Sequence, residues 1–308
     1  MKAQRVALLA GGVGGAKLAH GFQQVLPAGD LTVIVNVADD LDLFGLHVSP
    51  DLDTVLYTLA GLANPETGWG IAGDTFRALP LLERYGEPGW FRIGDADLAT
   101  HVRRTHLLRD GASLTDATAA MATGLGVASR ILPATDDPLR TFVGTDGGEL
   151  DFQTYFVQRG QRDEVRSVRF AGIDAAKTST AALDALAGAE LVVLAPSNPI
   201  VSIGPILALS GVREAVAARP SAAVSPIVAG RALRGPADRM LGSLGHEVSA
   251  LGVARLYAGL VQRFVLDEAD AALAPAIEAL GMRAEVAPTI MRSDADRARL
   301  AEAIILNR

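Results

Sequence analysis

The chain has 308 residues, 49% of them hydrophobic, so it has the apolar content to bury a core, and intrinsic disorder is excluded. Lysine plus arginine number 28 against 35 aspartates plus glutamates, a net charge of -7 that lacks the basic footprint of a duplex nucleic-acid binder. With no cysteine, disulfides, thiolate zinc sites, iron–sulfur clusters and cysteine nucleophiles are all excluded, and any metal must sit on oxygen or imidazole ligands.

Val6 to Leu9 is a short apolar run that ends in Gly11-Gly12-Val13-Gly14-Gly15, and Leu18, Phe22, Val25 and Leu26 then recur at helical spacing. The start therefore predicts strand, glycine turn, helix, with a second strand over Leu31 to Val37. A basic Met1-Lys2 ahead of Val6 to Ala16 raises the question of a signal peptide, but the glycines read as a turn and Lys17 interrupts the run, so the expectation is a cytoplasmic protein. No apolar stretch approaches a membrane span; Pro199 to Val212 is broken by Ser202, Gly204, Pro205 and Ser210.

From about Val55 to Leu132 the pattern is mostly helical, over Thr54 to Leu62, Thr75 to Tyr85, Asp97 to Arg109 and Ser113 to Leu125, which predicts a helical insert or cap. Thr141 to Val143, Leu150 to Gln158 and Val165 to Phe170 read as a small antiparallel β ribbon around Gly147-Gly148. Glu190 to Ala195 and Ala222 to Val224 are strand-like runs that feed loops at Pro196-Ser197-Asn198-Pro199 and Ser225-Pro226. Near-continuous apolar strands are the mark of a parallel sheet buried on both faces. The expectation is one α/β domain over 1–308 with a Rossmann-like, mostly parallel sheet, an insert over 55–132 and the sheet resuming over 133–308.

In such sheets ligands gather beyond the carboxyl ends of the strands. There the first candidate is Gly11, Gly12, Gly14, Gly15 and Lys17, a backbone that can approach a phosphate at a helix start. It is not a Walker A loop, because Leu18 follows Lys17 where Ser or Thr is needed, and the dinucleotide fingerprint fails at Lys17. A tight turn without ligand is the plain alternative. The second candidate is Asp39, Asp40, Asp42, Asp51 and Asp53, strand-end and helix-start carboxylates that can converge on Mg2+ together with substrate phosphate oxygens, or merely complement a helix dipole. Trp69 and Trp90, with Arg92, can grip a flat polar ring; Asp74 and Asp95 read by default as helix caps. Ser197 and Asn198, fixed between prolines, form a rigid loop suited to a nucleotide, or a locally hydrogen-bonded turn. Arg231 and Arg234 sit in a weaker loop that can add cations to a phosphate. No Ser-His-Asp spacing or His-Glu-x-x-His pattern is present.

Taken in order, Gly11 to Lys17, Asn36 to Asp40, Ser49 to Tyr57, Trp69-Gly70, Gly73 to Thr75, Gly94-Asp95, Asp97 to His101, Ser197 to Pro199 and Ser202 to Pro205 resemble the 2-phospho-L-lactate transferase family of coenzyme F-420 biosynthesis, over nearly the whole length. The resemblance implies a homodimeric, Mg2+-dependent transferase that moves a phospho-acid from a guanosine-diphosphate carrier to the deazaflavin alcohol Fo (7,8-didemethyl-8-hydroxy-5-deazariboflavin), with GMP leaving. It further implies Asp53 and Arg92 on the Fo side, where Trp69 is a candidate for the apolar slot of the ring, and the glycine loop with Lys17, Ser197 and Asn198 on the donor nucleotide. Asp39 and Asp53 are the catalytic and leading metal candidates, followed by Asp40 and Asp51. The donor acid stays open among phospholactate, phosphoenolpyruvate and phosphoglycerate. A non-catalytic nucleotide-sugar sensor of the same fold is the alternative, one that would not need the aspartates.

Overall fold

The computed structural model describes residues 5–307; Met1 and Lys2 lie outside the described residues. Seven strands form one all-parallel sheet: β1 (Val6–Ala10), β2 (Leu31–Val35), β3 (Arg130–Pro133), β4 (Leu191–Leu194), β5 (Ser221–Val224), β6 (Arg263–Leu266) and β7 (Arg283–Val286). Their order across the sheet is 3-2-1-4-5-6-7. The chain winds outward from β1 through β2 to β3, then returns to the far side of β1 with β4. That reversal places the topological switch point between β1 and β4, the edge at which ligands bind in doubly wound sheets.

Strand alternation divides the core into two layers. Val6, Leu8 and Ala10 of β1 pack with Leu18, Ala19 and Phe22 of helix α1 (Gly12–Val25), with Leu52, Val55 and Leu56 of α2 (Pro50–Leu59), and with Leu300 and Ile304 near the C-terminus. Ala7 and Leu9 face the other way, onto Leu186, Ile206, Leu241 and Tyr257. Leu191 to Leu194 are fully buried, as a central strand covered on both faces must be.

Between β2 and β3 stand a hairpin (Leu41–Leu43 with Leu46–Val48), α2, a short helix Leu79–Arg84, α3 (Asp95–Arg109) and α4 (Leu114–Gly124). The predicted helix over Thr75 to Tyr85 is reduced to Leu79–Arg84, because Thr75, Arg77 and Ala78 instead wrap the Asp95 carboxylate. The antiparallel ribbon is present as Gly148–Asp151, Arg140–Thr145 and Ser167–Ala171. The strand predicted over Leu150 to Gln158 stops early, however: Asp151 accepts hydrogen bonds from the Thr154 amide at 2.9 Å and from its hydroxyl, which turns the chain into a π-helix over Thr154–Gln158.

Candidate functional site

The loops after β1 and β4 lock together across the switch point. Ser197 Oγ donates to the Gly11 carbonyl at 2.7 Å and accepts from the Gly11 amide at 3.1 Å. A Cβ on Gly11 would stand 2.5 Å from Asp51 Oδ2, one on Gly15 would stand 2.7 Å from Ser197 Oγ, and one on Gly14 would strike the Pro196 carbonyl. Gly12 turns the chain at φ +61. The glycines are thus required by the approach of one loop to another, and the Gly12 amide is taken by Asp51 Oδ1 at 2.8 Å. Asn198 Oδ1 accepts from the Ile200 amide at 2.9 Å, an internal turn bond, and Lys17 Nζ donates to the Met291 carbonyl at 3.1 Å.

Directly behind the glycine turn lies a buried carboxylate pair. Asn36, one residue past β2, spreads its amide between Asp39 Oδ2 at 3.1 Å and Asp51 Oδ2 at 3.0 Å, with the Val201 carbonyl at 3.3 Å. Asp39 Oδ1 makes no well-formed hydrogen bond, and the buried Thr141 hydroxyl, itself unpartnered, stands near enough to favour the Asp39 anion. Burial raises the Asp39 carboxyl well above the usual aspartate range, and the neighbouring Asp51 charge adds to this. Burial also raises Asp51 to about 6, against the hydrogen bonds from Asn36 and Gly12. Both Asp51 oxygens accept a hydrogen bond, whereas Asp39 keeps one oxygen without a well-formed one; two buried carboxylates this close concentrate negative charge that a divalent cation would satisfy, and Asp39 Oδ1 is the group it would meet. These residues fit a hard cation. Among the described residues no group of three carboxylate or imidazole side chains surrounds an ion, so a cation here needs further oxygens from substrate or water.

The other aspartates are placed differently. Asp40 Oδ2 accepts from Ser49 Oγ at 2.8 Å and lies 2.9 Å from His47 Nε2, while its Oδ1 has no partner. Asp53, buried on α2, forms a bidentate ion pair with the Arg104 guanidinium of α3, itself 1% exposed. His101 stands between two carboxylates, Nδ1 3.6 Å from Asp53 and Nε2 3.3 Å from Asp97, and Tyr57 donates to Asp97 at 2.5 Å. This polar seam fixes α3 onto α2. Asp42 is exposed, 3.9 Å from Arg140.

Asp74 and Asp95 form a reciprocal clasp. Asp74 accepts from the Ala96 and Asp97 amides at 2.8 and 3.0 Å, so it caps α3, whereas Asp95 gathers the 75–78 turn. The clasp anchors the segment that carries the aromatic candidates. Trp69 is 43% exposed, Trp90 packs edge-on against Phe91, and Arg92 lies 4.4 Å over the Phe76 ring. Among the described residues no hydrogen bond or ion pair joins Arg92 to Asp53.

Gly11, Gly12, Gly14, Gly15, Ser197, Asp39 and Asp51 therefore converge, Asp40 borders them, Asp53 faces Arg104, and Trp69 and Arg92 stand on the exposed segment beyond. Asn36, His47 and Arg104 contact the candidate aspartates in the structure, and spacing alone does not single them out. For Asn36 the available signal is a lone amide at the end of an apolar strand; for Arg104 there is none, since its partner is 51 positions away.

Comparison with known proteins extends over nearly the whole chain. The family model of 2-phospho-L-lactate transferase CofD matches residues 6–299. A 2-phospho-L-lactate transferase of Methanosarcina mazei is 40% identical over 97% of this chain and 98% of its own length. A phosphoenolpyruvate transferase of Streptomyces griseus is 43% identical over 95% of this chain and 94% of its own. In fold, a solved UPF0052-family protein from Bacillus halodurans aligns with a TM-score of 0.64 at 16% identity, covering 99% of both chains.

Proposed function

The chain belongs to the 2-phospho-L-lactate transferase CofD family and is a transferase, and on that premise we propose that it acts in coenzyme F-420 biosynthesis, transferring a phospho-acid from a guanosine-diphosphate carrier to the ribityl hydroxyl of Fo and releasing GMP. The observation that carries this reading is the buried Asp39 and Asp51 pair at the switch point, with one carboxylate oxygen left without a well-formed hydrogen bond.

In the reaction the hydroxyl oxygen of Fo forms a bond to the carrier's β phosphorus. The bond from that phosphorus to the guanylate oxygen breaks, its electron pair leaves with GMP, and the hydroxyl proton passes to a carboxylate or to water. The protein's task is alignment and charge compensation. Asp39 and Asp51 are the residues that would hold Mg2+, which when bound would supply charge to the phosphoryl oxygens. Asn36 keeps the two carboxylates at a fixed separation. Asp53, its charge balanced by Arg104, suits a role in orienting the acceptor hydroxyl better than a metal ligand's role. The segment holding Trp69 and Arg92 offers a flat aromatic and a cation for the deazaflavin ring.

Mass spectrometry after incubation of protein, Mg2+ and Fo with each of the three guanylylated donors tests the reading and sorts the donor acids. Fo enlarged by one phospho-acid, with GMP in equal amount and loss of both on adding EDTA, is the expected result. No enlarged Fo with any donor would overturn it.

A further inference from the structure

The seam between α2 and α3 carries a guanidinium whose geometry exceeds what charge balance asks. Two positions on a helix stand about 200° apart, so the first turn of α2 sends Asp51 to Asn36 and Gly12 and sends Asp53 away from them, to α3. Asp53 and Tyr57 share that face of α2 one turn apart, and Asp97, His101 and Arg104 recur along the facing side of α3.

The fork of Arg104 takes both oxygens of Asp53, Oδ2 at 3.2 Å through one terminal nitrogen and Oδ1 through the other. The first of these nitrogens also lies 3.4 Å from His101 Nδ1 and donates to the His47 carbonyl at 3.3 Å. His47 in turn donates its amide to Thr105 Oγ1 at 2.8 Å, so α3 grips the 41–48 hairpin through two adjacent residues. Arg104 Nε is buried and has no hydrogen-bond partner among the described residues. A lysine ammonium would balance Asp53 without that buried Nε–H, so charge alone does not explain the guanidinium. What the fork adds is direction. A carboxylate held bidentately lies in the plane of the guanidinium, and its remaining lone pairs then point one way.

We propose that Arg104 is a positioning residue for the acceptor: by fixing the plane of the Asp53 carboxylate it sets the direction from which the ribityl hydroxyl is held for attack. This rests on the acceptor and the Asp53 role given under the proposed function. Arg104, 1% exposed, acts through Asp53 and not on substrate itself.

Steady-state transfer to Fo, per folded molecule, is compared in wild type, Arg104→Lys, Asp53→Glu and Tyr57→Phe, with a melting curve for each. Tyr57→Phe removes the donor to Asp97 and loosens the same seam without touching the fork, which makes it the control for a merely structural role. The expected result is kcat down about thirtyfold in Arg104→Lys with KM for Fo within about threefold of wild type. Tyr57→Phe should melt lower yet keep kcat within about twofold. Asp53→Glu keeps the charge and moves the carboxylate by one methylene; it should lose kcat by about tenfold or more, and it decides the matter should Arg104→Lys not fold. Wild-type kcat in Arg104→Lys, or in Asp53→Glu, would overturn the positioning, because charge would then suffice. So would a kcat loss in Tyr57→Phe equal to that in Arg104→Lys, the behaviour of a seam that only has to be rigid. A wild type that transfers nothing to Fo would instead overturn the proposed function, and this role with it.

Discussion

Two sets of aspartates stand beyond carboxyl ends of strands in the same sheet, and the fold treats them in opposite ways. After β6, Asp267 accepts from the Ala269 amide at 3.1 Å and from the Thr289 amide and hydroxyl at 2.9 Å each, and Asp270 accepts from the Ala229 amide at 3.0 Å. Burial works against the Asp267 anion, yet these donors win and hold its carboxyl below the usual range. After β2, Asp39 and Asp51 share the two hydrogens of one amide; the Gly12 amide adds one donor to Asp51 and the Thr141 hydroxyl stands near Asp39, yet burial outweighs these few donors and both carboxyls rise. Proximity to a strand end is common to both. What separates a structural carboxylate from one awaiting a cation is the supply of hydrogen-bond donors.

Removing charge should separate the two sets most sharply. In Asp39→Asn and Asp51→Asn, transfer to Fo should fall on the order of 10²–10³-fold while the melting temperature holds or rises, because an undercompensated buried charge has gone. Turnover near wild type in both, followed by product mass spectrometry, would erase the contrast. Arg104 supplies a third case, a carboxylate fully balanced by a cation. Arg104→Met should cost about 3–5 kcal/mol in urea unfolding by leaving Asp53 buried and alone, and adding Asp53→Asn should recover part of the loss. On the β6 side, Asp267→Asn should cost about 1–3 kcal/mol while transfer per folded molecule stays the same.

The smallest effect is on pH dependence. Asp51 binds its proton more tightly folded, at about 6 against an ordinary 3.8, so its protonated form stabilises the fold at low pH. That contribution is lost as pH rises from about 4 through about 6. Denaturation midpoints across this range should decline less steeply in Asp51→Asn than in wild type, the raised Asp39 supplying the slope that remains, and added Mg2+ should lift the wild-type midpoint above pH 6. An identical slope in wild type and Asp51→Asn would exclude Asp51 as its source.

Apolar runs made β1, β2, β4 and β5 legible in the sequence, together with the glycine turn and the Ser197 loop that meet at the switch point. β6 and β7 escaped because charges interrupt them: Arg263 and Glu285 are both buried and form a bidentate pair across neighbouring strands, at 2.7 and 2.9 Å. A pattern of hydrophobicity registers two charges and misses their mutual neutralisation. β3 was hidden at the end of the helical stretch, since Arg130–Pro133 is too short to announce a strand without its neighbour β2. The glycines read in the sequence as a backbone that can approach a phosphate; the groups that approach them in the structure are Asp51, Pro196 and Ser197 of the chain itself.

By itself, then, the sequence determined the parallel sheet, the family, and which residue types would gather at its carboxyl edge, because those follow from local periodicity and ordered motifs. Only the tertiary structure decided which aspartate has a counterion and which is left wanting one. Arg104 reaches Asp53 across 51 positions, and the Asn36 amide is shared among Asp39, Asp51 and a carbonyl 165 positions away. Compensation of a buried charge depends on donors within hydrogen-bonding reach in space, and no spacing along the chain encodes that distance.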